Sequence, residues 1–239
     1  MRSAIIGAVL VLGACTSHAQ ENGGPRATSQ RDFQVGQFQA VSLQGSHDVI
    51  VTVGGAPSVR AEGDAEAIER LDIRVENGTL KIGSRSDRRW FSFRSHRGVT
   101  IHVTAPSLNG ASIQGSGDMR VDRVQAEAFE AEIAGSGDMQ IAALQARRAS
   151  FAVAGSGDIR AAGTAEESDV SIAGSGNVAL ERLQTRRTSV SVAGSGDVSV
   201  RATEAVEGSV MGSGNVIVHG SARCSISKMG SGDVHCGGA

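Results

Sequence analysis

The sequence has no tyrosine, one tryptophan, six phenylalanines and three prolines among its 239 residues. With so few rings, a core must be filled by Val, Ile, Leu, Ala and Met, which favours thin, regular layers over a bulky globular interior. Neither charge is in excess: 23 Lys and Arg against 25 Asp and Glu leave a formal net charge of −2. The basic surplus expected of a nucleic-acid binder is therefore missing. No Gly-x-Ser-x-Gly, His-Glu-x-x-His, Cys-x-x-Cys or P-loop motif occurs, and the six histidines are scattered. The enzyme classes that depend on those motifs are excluded.

A transmembrane helix is also missing. The one apolar run of note, residues 4–14 behind Met1-Arg2-Ser3, is too short to cross a bilayer and reads as the core of an export signal. Two processing patterns are readable. Leu12-Gly13-Ala14-Cys15 resembles the bacterial lipobox, with residues 1–14 removed and a lipid on Cys15. Ser17-His18-Ala19 would suit ordinary cleavage and release a soluble periplasmic or secreted protein. With Cys15 lipidated, Cys224 and Cys236 remain as a pair for a disulfide. The polar, apolar-poor stretch 15–32 reads as a flexible tether. The expected location is an outer-membrane lipoprotein facing periplasm or cell surface, with membrane attachment through the lipid alone.

What the chain has in abundance is glycine, 32 residues, much of it in one tetrapeptide. Gly-Ser-Gly-Asp begins at 115, 135, 155, 194 and 230, and Gly-Ser-Gly-Asn at 174 and 212. The spacing stays between 18 and 20 residues, the signature of a solenoid. Two residues before the first glycine stand Ile113, Ile133, Val153, Ile172, Val192, Val210 and then Lys228. Four after it stand Met119, Met139, Ile159, Val178, Val198, Val216 and Val234, with polar or small residues mostly between. Alternation on both sides of the tetrapeptide predicts strand, turn, strand. One such unit cannot bury its apolar face, but stacked units can. Residues 105–237 are thus expected to form an all-β, right-handed β-helix-like solenoid of 18–20-residue rungs.

The glycines would allow a sharp turn, and the Asp or Asn would accept hydrogen bonds from nearby backbone N–H groups. Stacking sets Asp118, Asp138 and Asp158 side by side at about 4.8 Å, where unscreened repulsion is roughly 1 kcal/mol per pair in water. Water, backbone N–H groups or a bound Ca²⁺ would each relieve it. Cys224 and Cys236 lie six residues either side of Gly230, both with inward parity. If the strands fold back, a disulfide there would staple the end of the array. The opposite corner of each rung (for example AALQARRAS and ERLQTRRTS) varies, as a binding loop on a fixed frame would.

Residues 33–104 show no tidy repeat but are β-rich. Asp64 is placed to cap a short helix over 64–71, Asn77-Gly78 signals a hairpin, and Gly45-Ser46-His47-Asp48 is a degenerate echo of the turn. The stretches FQAVSLQGSHDVIVTVGG, VENGTLKI and VTIHVTAPSLNGASIQGSGD, the serial turns, and the closing CSISKMGSGDVHC together resemble the family of bacterial envelope proteins described as "putative autotransporter adhesin, head GIN domain". The resemblance covers about 33–237. It implies a β-helix-like fold, a surface or periplasmic location, and no catalytic residues.

One segment departs from that pattern, being longer and more basic. In RSDRRWFSFRSHRG, Arg85, Arg88, Arg89, Arg94 and Arg97 surround Trp90, Phe91 and Phe93. Arg forks phosphate and carboxylate while aromatics stack, so an anionic glycan, lipopolysaccharide or an envelope protein is the expected partner. The alternative is a loop whose rings cap the end of the solenoid. Glu130, Glu132, Arg120, Gln140 and Arg160 all have outward parity but make no convincing acid–base set, so a polysaccharide-active β-helix enzyme is the secondary reading. The expectation is an adhesin-like or scaffold module without catalysis or cofactor, Ca²⁺ at the Asp column aside.

Overall fold

The computed structural model describes residues 28–85 and 98–238. Strands β1 (Thr28–Phe33), β2 (Ala40–Gly45), β3 (Asp48–Val53) and β4 (Ser58–Asp64) precede one short helix, α1 (Ala65–Glu69). Then come β5 (Leu71–Glu76), β6 (Thr79–Ser84), β7 (Thr100–Ala105), β8 (Gly110–Gly115) and β9 (Met119–Val121). Five long strands follow: β10 (Val124–Gly135), β11 (Met139–Gly155), β12 (Ile159–Gly174), β13 (Val178–Gly194) and β14 (Val198–Gly212). Short β15 (Val216–His219), β16 (Arg223–Gly230) and β17 (Val234–Gly238) close the order. No helix among the described residues is long and apolar enough to cross a membrane.

The strands stack in parallel as a β-solenoid. Each of β11 to β14 starts after one tetrapeptide, passes the second corner, and ends at the next tetrapeptide, so it contributes to two ladders. On the approach side Gly115 pairs with Gly135, Gly135 with Gly155, Gly155 with Gly174, Gly174 with Gly194, Gly194 with Gly212 and Gly212 with Gly230. The tetrapeptides therefore line one edge in unbroken register. Inside, Ile113, Ile133, Val153, Ile172, Val192 and Val210 form one buried column, and Met119, Met139, Ile159, Val178, Val198 and Val216 another. Alternate residues face one side of a strand, so the period-2 pattern becomes two continuous aliphatic columns.

The two turn glycines serve different ends. The first has positive φ, +135° at Gly155, a backbone state that L side chains rarely adopt. The second has no such φ, but a Cβ on Gly137 would lie 2.0 Å from the carbonyl oxygen of Gly117. There the constraint is the closeness of the neighbouring rung, which positive φ alone does not explain.

The parallel ladder also takes in strands from the region without a tidy repeat. β2 pairs with β8 through Gly45↔Gly115, so Gly45-Ser46-His47-Asp48 stands on the turn column. β6 and β7 pair in parallel with β2 and β3 on the far side, as a rung out of chain order. Beyond it the pairing turns antiparallel, β4 on β7, β1 on β4 and β5 on β6. With α1, these strands cap that end of the stack over the buried Ile68 and Leu71. Asp64 caps α1 by accepting from the Ala67 N–H, and Asn77 (φ 52°) and Gly78 (φ 74°) turn the β5–β6 hairpin. The other end is closed by a Cys224–Cys236 disulfide joining β16 to β17, with Cα atoms 6.0 Å apart.

Gly137→Ala should lower unfolding free energy by about 2–4 kcal/mol, because backbone must move to admit the methyl group, whereas Ser136→Ala should stay within about 0.5 kcal/mol. Urea melts of the two variants check this. Replacing both Cys224 and Cys236 by Ser should free the last rung first. Amide exchange would accelerate in β16 and β17 while β11–β13 stay protected, with a global loss of no more than about 3 kcal/mol.

Candidate functional site

The turn edge solves the Asp-column problem with backbone N–H groups. The Asp118 Oδ1 accepts from the Asp138 N–H at 3.0 Å, and the Asp138 Oδ1 from the Asp158 N–H at 3.1 Å. The Asp158 Oδ1 takes both the backbone N–H and the side-chain amide of Asn177, at 3.0 and 2.9 Å. The pattern continues from Asn177 to Asp197, from Asp197 to Asn215 and from Asn215 to Asp233. Between Asp138 and Asp158, Arg160 forms a bridge, 2.9 Å from the Asp158 Oδ2 and 3.8 Å from that of Asp138. Among the described residues no group of three or more His, Cys, Asp or Glu side chains is arranged to hold a metal ion. The carboxylates named for Ca²⁺, at Asp118, Asp138 and Asp158, are the ones engaged in this ladder.

The second corner is strand rather than loop. β11, β12 and β13 run through it, with register shifts between Ile141 and Leu144, Arg160 and Ala162, and Leu180 and Gln184. The loss of a residue or two in the shorter rungs is absorbed here. Two consecutive exposed residues mark the bend, breaking the alternation at 127–128, 147–148 and 186–187. Their charges alternate by rung. Arg147 lies 3.8 Å from Glu127 and 3.5 Å from Glu166, Arg187 spans Glu167 (2.7 Å) and Glu204 (3.2 Å), and Arg186 meets Glu204 at 2.6 Å. Arg187, hydrogen-bonded to Glu167, holds that carboxyl below its ordinary 4.5, and Arg186 does the same to Glu204. In the cap, Lys81 and then Arg74 push Glu76 down to about 2.

Beside this corner a groove of about 770 Å³ crosses the rungs. Its floor is the start of the approach strands, over the buried Phe129, Ala149 and Thr188. One wall is the register row Glu130, Ser150, Asp169, Ser189 and Glu207. The facing wall is the row Ala128, Arg148, Glu167, Arg187 and Ala205.

Of the residues singled out from sequence, Arg85 is exposed, and its N–H donates to the Arg70 carbonyl at 2.9 Å. Arg88, Arg89, Trp90, Phe91, Phe93, Arg94, Arg97 and Cys15 lie outside the described residues. The flanks of the basic segment are placed. β6 lies on the approach ladder and β7 on the departure ladder. Glu130 and Glu132 lie on the approach ladder, whereas Arg120, Gln140 and Arg160 lie across the turn on the departure ladder. They are not brought together as one set. The groove was not anticipated, although its signal was in the sequence: charged doublets such as Arg147-Arg148 and Glu166-Glu167 interrupt a period-2 pattern.

A disulfide-closed parallel β-solenoid defines the class as a repeat-built protein that presents strand faces. The chain belongs to the family described as "Putative auto-transporter adhesin, head GIN domain", which matches residues 37–222. A solved "putative adhesin" from Bacteroides fragilis is 25% identical, with a TM-score of 0.81 over 88% of this chain and 97% of its own. A "putative lipid binding protein" from Parabacteroides distasonis is also 25% identical, with a TM-score of 0.70 over 91% and 98%. A third structure, a "putative adhesin" from Parabacteroides merdae at 17% identity and a TM-score of 0.68 over 91% and 98%, shares the fold. No curated protein matches the chain.

The depressed carboxyls set an acid dependence. A glutamate whose folded value lies below its unfolded one stabilises the fold above the unfolded value, and that contribution is lost as pH falls through the folded value. Thermal midpoints should therefore hold from neutrality to about 4.5, then decline towards about 2. The decline should be modest, because these pairs face solvent. A Glu167→Gln, Glu204→Gln double variant should show a flatter curve in the same titration.

Proposed function

We propose that the protein is an exported, envelope-associated binding module of adhesin-like or scaffold character, anchored by lipid at Cys15 and without catalytic activity. Family membership and the disulfide support export to an oxidising compartment. The observation that carries the binding role is the composition of the basic, aromatic segment between β6 and β7. Five Arg and three aromatic residues within one short segment suit an anionic glycan, lipopolysaccharide phosphate or an acidic envelope protein. A buried acyl chain is less favoured as a ligand, because the interior columns are already filled by stacked aliphatics.

Replacing Arg85, Arg88, Arg89, Arg94 and Arg97 together by Ala should lower binding to lipopolysaccharide and to whole cells by about tenfold or more, with the melting midpoint unchanged. Equal binding by the two proteins would remove the segment from the binding role. Cys15→Ser should move the protein from the membrane fraction to the soluble envelope fraction.

A further inference from the structure

We propose that the groove beside the second corner takes a cationic peptide segment in the polyproline II conformation, with Arg or Lys at every third residue, laid along the solenoid axis. The inference rests on the reading of the protein as a binding module, but it uses a different surface from the basic segment and the opposite sign of charge. Its first support is the charge balance of the lining. Glu130, Glu167, Asp169 and Glu207 are set against Arg148 and Arg187, so carboxylates outnumber guanidinium groups two to one. Arg187 is already paired with Glu167 and Glu204. Glu130, Asp169, Glu207 and Arg148 are exposed, and their side chains make no hydrogen bond or ion pair among the described residues. The unpaired charge is thus mainly negative, which favours a cationic occupant. The second support lies in the floor. The Thr185 hydroxyl donates to the Arg201 carbonyl at 2.9 Å. Each hydroxyl has one proton to give, so Thr188 donates to Thr185 and Ser168 to Thr188, both at 2.8 Å. Ser168 lines the groove and is only 6% exposed. Its proton is spent within this chain, so it offers a ligand lone pairs alone. Floor and acidic wall both call for a partner rich in N–H donors, which Arg and Lys side chains are.

The third support is spacing. Along one wall the unpaired carboxylates recur on every second rung, at Glu130, Asp169 and Glu207, with Ser150 and Ser189 between. Two strand spacings are about 9.6 Å. A polyproline II chain has about three residues per turn and rises about 3.1 Å per residue, so one face recurs every ~9.3 Å. From Glu130 to Glu207 the accumulated mismatch is about 0.6 Å. A β-strand brings one face back every ~6.7 Å and falls out of step. An α-helix does so after about seven residues, ~10.5 Å, and drifts by about 2 Å over the same span. The polyproline II backbone also has no internal hydrogen bonds. Its carbonyls stay open to Arg148 on the facing wall, whereas those of a helix are already bonded.

Peptides built of repeated Pro-Pro-Arg units, labelled for fluorescence anisotropy, are a direct probe. Affinity should rise with length, level off at about three units, and fall as salt is added. A Glu130→Gln, Asp169→Asn, Glu207→Gln triple variant should bind a four-unit peptide about tenfold more weakly or worse, with the melting curve unchanged. A peptide of the same composition with its arginines gathered at one end should bind about fivefold more weakly. The variant lacking the five arginines of the basic segment should bind the four-unit peptide as the unaltered protein does, and the triple variant should keep its lipopolysaccharide binding. Failure of lipopolysaccharide binding would therefore sink the role of the basic segment without touching the groove. The groove assignment is overturned if the four-unit peptide fails to bind, or if the gathered-arginine peptide binds equally well. Indifference to the triple substitution overturns it too.

Discussion

Everything in this molecule depends on how closely two turns can lie. Parallel strands stack about 4.8 Å apart. At the turn edge each rung's carbonyl oxygen approaches the next rung until a Cβ would stand about 2 Å from it, as between Gly117 and Gly137. Glycine at both positions removes that Cβ. The backbones can then bond directly, with the Ser136 N–H donating to the Gly115 carbonyl at 2.9 Å and the Ser156 N–H to Gly135 at 2.9 Å. Once the turns are seated, the aliphatic columns follow, because each approach and departure strand begins at a fixed point relative to the one beneath. A bulkier turn residue would lift a rung and open both columns together.

The same fixed edge explains how the acidic residues are tolerated. Asp118, Asp138 and Asp158 are brought to a spacing at which like charges repel, yet each offers one oxygen to the N–H of the following rung. The bond belongs to the stack rather than to a single turn, since the donor is always in the next copy. Asn177 and Asn215 add side-chain amide donors to the preceding Asp, which lowers the charge of the column and adds a bond in the same step. The repeated Asp or Asn is thereby accounted for as a connector between rungs.

Much of this was legible because it is periodic. The turn interval, the inward columns, the strand direction and the terminal disulfide all follow from counting residues around Gly-Ser-Gly. Asp64 and Asn77-Gly78 carried their local signals intact. The rung formed by β6 and β7 did not, because no Gly-Ser-Gly stands between them in the sequence, and because β6 reaches β2 past an intervening cap. The groove was missed for a different reason. A doublet such as Arg147-Arg148 reads as noise in an alternating strand until the bend is seen. Lys228 stands where other rungs bury Ile or Val, and it is exposed on the last one, 3.8 Å from Asp233. An inward-pointing charge on an edge strand discourages further stacking, so this departure from the pattern marks where the array stops.

A chain of near-identical rungs faces a choice of partners that a less regular fold does not. Its turns and its aliphatic columns would accept almost any other rung as a neighbour, so neither specifies which rung lies on which. The second corner supplies the distinction. Arg147 and Arg148, then Glu166 and Glu167, then Arg186 and Arg187, then Glu204 alternate in sign from rung to rung. Skipping one rung would set arginine against arginine. Each exposed pair is individually weak in water, but the penalty for skipping repeats at every level and falls where the columns are indifferent. Length variation is confined to this corner too, at the shifts beside Leu144, Ala162 and Gln184. The corner is thus both the identity mark of each rung and the place where rungs are free to differ, and a groove beside it can acquire chemistry without disturbing the turn edge that holds the stack together.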